Sequence, residues 1–231
     1  MFGRPITKAD EFERFVGKQL VLGCGFGMGV DKFIEHCANL GVKVSIELAE
    51  RAIKSYRDRN QRIVDFWYEI EDCARNALKK PGAVVQHKCG VAFKFNGHQW
   101  MQIRLLSGRL LSYYKPHILR DGSWNGTISY FGVDQRTKDW GPQRTWGGKL
   151  VENIVQATAR DVMAAAIVRL DEEHPEYRYL TSIHDEVIAE CEPEHADAKR
   201  FASIIATLPA WAEGLPAKCD SWTAFRYRKA A

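Results

Sequence analysis

Three consecutive polar residues, His184, Asp185 and Glu186, are the side chains in this sequence best suited to phosphoryl-transfer chemistry. They stand between two β-prone runs, residues 178–183 and 187–191, and neither Gly nor Pro separates the runs. This pattern predicts a tight hairpin turn that presents two adjacent carboxylates at the rim of a sheet. Mg²⁺ takes oxygen ligands, usually one or two carboxylates plus substrate phosphates. The triplet is therefore a candidate half of a metal site, although ordinary turn chemistry explains these residue types equally well.

A second candidate is a series of cationic and apolar residues spaced four apart. Arg14, Lys18, Leu22 and Phe26 lie at i, i+4, i+8 and i+12. On a helix this spacing places two cations and two apolar groups on one face. Such a face suits a nucleoside triphosphate, because the cations match its phosphates and the apolar groups match its sugar and base. Glycines at 23–29 follow this helix, whereas a phosphate-binding loop precedes one, so they favour close backbone approach or a hinge.

Three segments together resemble family A DNA polymerases. The pattern Arg-x3-Lys-x3-Leu-Gly-x2-Phe-Gly at 14–27 is similar to their fingers helix, and the triplet at 184–186 is similar to their last palm motif. Residues 152–161 resemble the palm helix. The motifs occur in the family's order, and the phage-encoded branch is the best match. The resemblance implies an α+β fold with a fingers-like helical segment at 1–82. It also implies an antiparallel palm sheet with packed helices at 83–231. The two segments together would form an incomplete family A fold.

The resemblance also implies roles in binding the nucleotide and catalysis. Arg14 and Lys18 would bind the triphosphate, and Lys18 would also protonate the leaving pyrophosphate. Leu22 would pack near the sugar, and Phe26, where the family has Tyr, would stack on the nascent pair. The catalytic set comprises Asp185, Lys18, His184 and Glu186. Asp185 would bind Mg²⁺ in a two-metal site, Glu186 would be a secondary metal ligand, and His184 would orient the primer end.

Contacts with DNA are expected from Asn153, Gln156, Arg160, Arg109 and Gly27. The first three lie at i, i+3 and i+7 of a predicted helix and make one polar stripe. Amide side chains bond minor-groove acceptors without choosing among bases. Ser107-Gly-Arg109 is similar to the Leu-Pro-Ser-Gly-Arg of phage polymerases, with Leu106 in place of Pro. Alternatively, Arg109 only decorates a turn.

Local sequence signals predict the elements that position these residues. A helix starts at Thr7-x-x-Asp10, and a long helical region from 46 to about 79 ends at Pro81-Gly82. The other predicted elements are a helix at 31–38, a hairpin at 91–105 around Asn96-Gly97, a strand at 128–133, and helices at 150–172 and 194–206. Residues 134–148 are predicted to form an exposed loop. Its Trp and cationic residues could grip a nucleic acid backbone and stack bases, or the Trp side chains could anchor in the core.

Composition is that of an ordinary globular protein, and it bounds the function only weakly. The 231 residues are 45% hydrophobic and 27% charged, with a net charge of +4, which permits nucleic acid binding without demonstrating it. Six Cys without a C-x-x-C pair disfavour a zinc site. The sequence shows neither an apolar run of about 18 residues nor a targeting peptide, so no membrane association is expected. A cytoplasmic location is predicted, in the host cytoplasm if the protein is phage-encoded.

One part of the family pattern has no counterpart in this sequence. Family A polymerases carry an earlier palm motif with an Asp, a thumb and a proofreading domain upstream of the fingers helix. The residues before Arg14 do not match that palm motif. The expected partners are therefore primer-template DNA, a dNTP and an upstream polymerase half or other replication protein. The alternative is a catalytically silent module that holds primer-template or an accessory protein.

Overall fold

The computed structural model describes residues 2–227, which divide into two compact units. Unit 1 comprises Met1–Leu105 and Leu110–Ile154, and unit 2 comprises Leu106–Arg109 and Val155–Ala231. Within the described residues there are six α-helices, a six-stranded antiparallel sheet and a two-stranded sheet. The predicted α+β class is confirmed.

Unit 1 begins with four helices whose ends follow local sequence signals. They are α1 (Glu11–Cys24), α2 (Val30–Asn39), α3 (Ile46–Arg59) and α4 (Gln61–Lys79). Ser45 caps α3 by accepting a hydrogen bond from the Leu48 backbone N–H at 3.3 Å. Gly41, at φ 79°, ends α2 in the left-handed conformation that glycine adopts without strain.

The long helical region predicted from 46 to 79 is two helices, because Asn60 interrupts it. Asn60 has φ −120° and ψ 43°, and its side-chain amide donates a hydrogen bond to the Tyr56 carbonyl at 2.8 Å. Asparagine competes for backbone groups in this way, which favours a helix end over a helix interior. The two helices therefore pack as separate elements, and α3 joins α1 and α2 around one apolar core. The buried members of that core are Val16, Leu20, Cys24, Phe33, Cys37, Val44, Ala49, Ala52 and Ile53.

The sheet of unit 1 is an antiparallel meander in chain order. Its strands are β1 (Val84–Gln86), β2 (Ala92–Phe95), β3 (Trp100–Arg104), β4 (Leu110–Leu119), β5 (Thr127–Val133) and β6 (Trp140–Thr145). One face carries the buried side chains of Phe93, Met101, Ile103 and Tyr113. Helix α4 packs against β1, β2 and β4. The sheet thus has one covered face and one solvent-facing face.

The prediction of an exposed loop at 134–148 is wrong, since β6 lies within it. The strand pairs with β5 from Val133 opposite Trp140 to Ile128 opposite Thr145. The sequence does not predict this strand, because Gly141 and Pro142 are both poor strand formers. Pro142 is tolerated because β6 is an edge strand of the sheet.

The predicted hairpin around Asn96-Gly97 is present but its turn is longer. The Asn96 side-chain oxygen accepts hydrogen bonds from the backbone N–H groups of His98, Gln99 and Trp100. These bonds hold residues 97–99 in the loop, so β3 starts at Trp100 and not at His98.

Unit 2 packs two helices against a two-stranded hairpin. Helix α5 (Gly147–Glu173) crosses from unit 1 into unit 2 and is followed by β7 (Arg178–Ile183), β8 (Glu186–Glu190) and α6 (Ala198–Ala206). The predicted helix at 194–206 starts later, because the Asp197 carboxylate accepts hydrogen bonds from the N–H groups of Lys199 and Arg200 and caps α6 there. Leu170, Tyr177 and Ile204 form the buried core of this unit.

Candidate functional site

The outer face of α1 displays two cations beside an exposed leucine. Arg14, Lys18 and Leu22 are all exposed, whereas Val16 and Leu20 on the opposite side are buried. Within residues 2–227, neither the Arg14 nor the Lys18 side chain makes a hydrogen bond or an ion pair. Both charges are therefore available to an anionic ligand.

Phe26 is not on the helix, which corrects the prediction that all four residues share one helical face. Helix α1 ends at Cys24, and the Phe26 backbone N–H bonds the Gly23 carbonyl at 3.2 Å in a tight turn. The Phe26 ring is half-buried. The glycines at 23 and 25 explain the early end of the helix, since glycine has little helical preference.

The start of α1 is fixed by an ion-pair cluster. The Arg4 guanidinium lies 2.7 Å from Asp10 and 2.6 Å from Glu13. Asp10 also accepts hydrogen bonds from the N–H and hydroxyl of Thr7. The Arg4 hydrogen bond, followed by those from Thr7, holds the pKa of Asp10 well below its usual range. The cluster keeps a carboxylate at the helix N-terminus, where the helix dipole favours it.

Two tryptophans, Trp67 and Trp146, pack around the turn after α1. The rings meet edge to face, with centroids 6.5 Å apart. The Trp67 indole N–H donates to the Gly25 carbonyl at 2.9 Å. Gly27, at φ 80°, lies so close to Trp146 that an added Cβ would be 2.3 Å from its ring. Gly27 thus provides the close backbone approach expected of this glycine run.

Replacing Gly27 by Ala should destabilise unit 1 more than the same change at Gly41. Both residues have φ near 80°, which costs a residue with a Cβ about 1–2 kcal/mol. Of these two positions, only at Gly27 would the new methyl meet a ring, because no described atom lies within 4 Å of a Cβ at Gly41. Overpacking adds about 1–3 kcal/mol. Urea denaturation of both variants measures the difference, and equal losses would contradict the described packing.

The predicted tight turn is confirmed at the tip of the β7–β8 hairpin. The turn consists of His184 and Asp185, and Glu186 is the first residue of β8, paired with Ile183. His184 adopts φ 54°, a left-handed conformation that His tolerates better than most residues. Both carboxylates are exposed. Glu186 accepts a hydrogen bond from the Tyr227 hydroxyl at 2.8 Å, which raises the pKa of Tyr227.

The hairpin tip offers the donor atoms that Mg²⁺ prefers, in limited number. Asp185 and Glu186 supply adjacent carboxylate oxygens on a two-residue turn. Across residues 2–227, no three His, Cys, Asp or Glu side chains gather closely enough to enclose a metal ion. Because Mg²⁺ typically takes only one or two protein carboxylates and completes its shell with phosphates and water, the two residues fit part of such a site.

Polar side chains predicted to contact DNA have different surroundings along α5. The Asn153 amide donates to the Tyr113 hydroxyl at 2.9 Å, and burial raises the pKa of Tyr113 to about 12. Asn153 is half-buried, whereas Gln156 and Arg160 are exposed. The hydrogen bond to Tyr113 fixes the orientation of the Asn153 amide, a constraint that the sequence does not reveal.

Arg109 belongs to a cluster that sequence reasoning missed. Its guanidinium Nε lies 2.6 Å from Asp161 Oδ1 and its Nη2 donates to the Ala157 carbonyl at 2.6 Å. Asp161 also accepts a hydrogen bond from the Ser107 hydroxyl. Arg109 therefore ties its turn to α5 and is more than a decoration of that turn. The side chain remains 43% exposed, so a contact with DNA is compatible with this arrangement.

No protein-family model matches the chain. The chain is 35% identical, over 227 residues and 97% of its length, to the DNA polymerase of Bacillus phage SP02. The chain is similar to a phage DNA polymerase. The predicted resemblance to a phage polymerase is thereby confirmed. The chain spans about a third of that protein, 34% of its length.

The residues suggested by the polymerase resemblance are distributed over both units. Unit 1 contains Arg14, Lys18, Leu22, Phe26, Gly27 and Asn153. Unit 2 contains Arg109, Gln156, Arg160, His184, Asp185 and Glu186. Among the described helices, none is long and apolar enough to cross a lipid bilayer.

Proposed function

We propose that this chain supplies the fingers and the C-terminal palm of a family A DNA polymerase and takes part in template-directed nucleotidyl transfer. The observation that carries the proposal is the similarity to the SP02 phage DNA polymerase along nearly the whole chain. The exposed cations of α1 and the exposed carboxylates of the β7–β8 tip support it, because phosphoryl transfer depends on positioning and charge stabilisation.

In this proposal the outer face of α1, which carries Arg14, Lys18 and Leu22 and is called the α1 face below, binds the incoming dNTP. Arg14 and Lys18 pair with the triphosphate, and the Lys18 ammonium protonates the leaving pyrophosphate. Leu22 packs near the sugar, and the Phe26 ring stacks on the nascent base pair. Arg14, Lys18 and Leu22 are exposed on α1, which leaves them open to a ligand, and Phe26 is half-buried in the turn after it.

Other residues hold the primer-template and the reacting end. Asn153, Gln156 and Arg160 of α5 contact the minor groove and backbone, and Arg109 adds a contact from its turn. Gly27 adds a main-chain contact with the DNA from the turn after α1. His184 orients the primer end beside Asp185.

Asp185, with Glu186 as the secondary ligand, would hold Mg²⁺. When bound, the ions of a two-metal site stabilise the charge on the attacking and leaving oxygens. Glu186 keeps its hydrogen bond to Tyr227, which orients one carboxylate oxygen at the hairpin tip.

Two carboxylates do not complete a two-metal site, so we infer that polypeptide beyond these residues supplies the remaining palm Asp. The β7–β8 sheet has two strands, and each keeps one edge unpaired within the described residues. Such edges accept additional strands. An upstream polymerase half that adds a strand beside β7 or β8 would bring its carboxylate to the tip.

Reconstitution tests this function and separates it from the silent-module alternative. The chain is purified alone and together with the two thirds of the SP02 polymerase that it does not match. A stable complex on a sizing column and Mg²⁺-dependent primer extension by the mixture, but not by either part, are expected. A complex that binds primer-template yet never extends it would favour the silent module. Robust extension by the chain alone would refute the need for a partner.

Removing either cation of the α1 face should impair dNTP use far more than DNA binding. In the reconstituted enzyme, Arg14→Ala and Lys18→Ala should each lower kcat/KM for dNTP about ten- to a hundred-fold, the loss of one charge-assisted hydrogen bond. Single-turnover incorporation at varied dNTP concentration measures this effect.

Lys54→Ala is the matched control, because Lys54 is an exposed helical lysine whose one ion pair within residues 2–227 is with Asp58. It should leave kcat/KM unchanged, since such surface pairs contribute little. Equal losses of duplex affinity in the Arg14 and Lys18 variants, with unchanged use of dNTP, would place the α1 face on the DNA backbone.

A further inference from the structure

Three aromatic rings lie in a row on the solvent-facing side of the six-stranded sheet. Trp100 of β3 is paired directly opposite Tyr114 of β4, and their ring centroids are 5.0 Å apart. Trp140 of β6 extends the row, with its ring centroid 6.1 Å from that of Tyr114. The exposed fractions of Trp100 and Trp140 are 39% and 61%. Large rings left this exposed in a row are typical of an interaction surface.

Three cations lie on the same side of the sheet as this row. Lys115 reaches over the Tyr114 ring, with its ammonium 5.4 Å from the centroid. Every second side chain along a strand lies on the same face. Arg104, four residues after Trp100, therefore shares its face, and Arg144 shares the face of Trp140 in the same way. We call the three rings and these three cations the aromatic face.

The strands beneath the aromatic face carry no opposing charge. None of the six strands, all within the described part of the chain, contains an Asp or a Glu. The nearby carboxylates lie in the connections. Asp121 is 3.8 Å from Arg144 and accepts hydrogen bonds from Ser123 and Thr127. Asp134 and Asp139 lie in the β5–β6 turn, where Asp134 accepts backbone N–H bonds. The face is therefore cationic and aromatic at once.

We propose that the aromatic face binds single-stranded DNA. Exposed rings stack on unpaired bases, and cations beside them neutralise the phosphates, which is the combination found in proteins that bind single strands without sequence preference. A duplex could use only the cations, since its bases are stacked within the helix. This inference goes beyond the proposed function, because it uses none of the residues assigned there. It depends on that proposal only for the choice of DNA over RNA.

Fluorescence anisotropy of a labelled oligo-dT of about 20 nucleotides, without dNTP or Mg²⁺, tests the proposal on the full chain. Trp140→Ala and Trp100→Ala should each raise the Kd about ten-fold or more, the effect of losing one base–ring stack. Arg144→Gln should reduce the slope of log Kd against log salt by about 0.7. Trp124→Ala is the matched control, because Trp124 is 98% exposed but lies in the β4–β5 connection. Its Kd should not change.

The outcomes separate this site from its alternatives. Equal affinities of the Trp140 and Trp124 variants, or no binding of oligo-dT by the wild-type chain, would overturn the proposal. Duplex DNA bound as tightly as the single strand, with the same dependence on Trp140, would also overturn it. If Trp140→Ala spares oligo-dT binding but abolishes the complex with the upstream polymerase half, the face contacts protein instead. Since no step of the assay requires catalysis, a chain that never extends a primer can still confirm this site. Unchanged circular dichroism and unfolding midpoints show that the variants fold.

Discussion

Asp185→Asn in the reconstituted enzyme should lower nucleotide incorporation about a thousand-fold or more while affinity for primer-template stays nearly constant. The change keeps the size of the side chain but removes the charge of a metal ligand, and metal ions contribute several kcal/mol of charge stabilisation in the transition state. Asp185 is exposed at the tip of the β7–β8 turn, so the substitution has no packing cost. Single-turnover incorporation and filter binding measure the two quantities.

Two carboxylates of β8, Glu186 and Glu190, provide comparisons for the Asp185 variant. Glu186→Gln should be milder, because Glu186 is a secondary ligand and its hydrogen bond from Tyr227 survives in the amide. Glu190→Gln, at the far end of β8, loses an exposed pair with Arg178 and should have no effect on turnover. Wild-type turnover by the Asp185 variant would remove Asp185 from the proposed metal site.

Gly147→Ala should cost unit 1 about 3 kcal/mol or more of its free energy of unfolding. A Cβ at this position would lie 1.9 Å from the Trp67 carbonyl oxygen. A side chain could relieve such a clash by changing its rotamer, but the main chain of α4 cannot. The Gly147 N–H also donates to Glu71 at 2.8 Å, and Glu71 in turn pairs with the buried Arg75. Shifting Gly147 to relieve the clash would break this connection.

Gly17→Ala provides the opposite expectation from the same chemical change. Gly17 lies within α1, and in the part of the chain that the structure describes no atom outside the helix's own nearby backbone lies within 4 Å of the place that an alanine methyl would take. Alanine at this position should stabilise the helix by about 0.5–1 kcal/mol, because glycine loses more conformational freedom on folding. Urea unfolding followed by circular dichroism compares the two variants. A Gly147 variant as stable as the wild type would contradict the close contact between α4 and α5.

Local signals in the sequence were enough to predict much of the fold. The helix predicted at 31–38, the start of the helical region at 46 and the hairpin tip at 184–186 each depend on residues within a few positions of one another. The common face of Arg14, Lys18 and Leu22 on α1 followed from helical spacing alone. These features were predictable because capping, turn geometry and helical periodicity are short-range properties.

Contacts between residues distant in sequence could not be predicted in the same way. The Arg109–Asp161 pair joins a turn to a helix, and Gly147 meets Trp67 from another element. Neither contact leaves a pattern in the nearby residues. Strand β6 was missed for a related reason, since pairing with β5 and not local preference makes its Gly-Pro segment extended.

Because the core of unit 2 is small, we expect its β7–β8 hairpin to unfold locally more readily than the helices α1–α3 of unit 1. A two-stranded hairpin is marginal by itself in water, so β7 and β8 depend on packing around Leu170, Tyr177 and Ile204. The Tyr177 hydroxyl in that core has no hydrogen-bond partner within the described residues, which weakens it further. Amide hydrogens of the hairpin should therefore exchange with solvent before those of α1–α3. The tip carboxylates stand on this readily opened element, and any ligand that binds only its closed form would slow that exchange in proportion to occupancy.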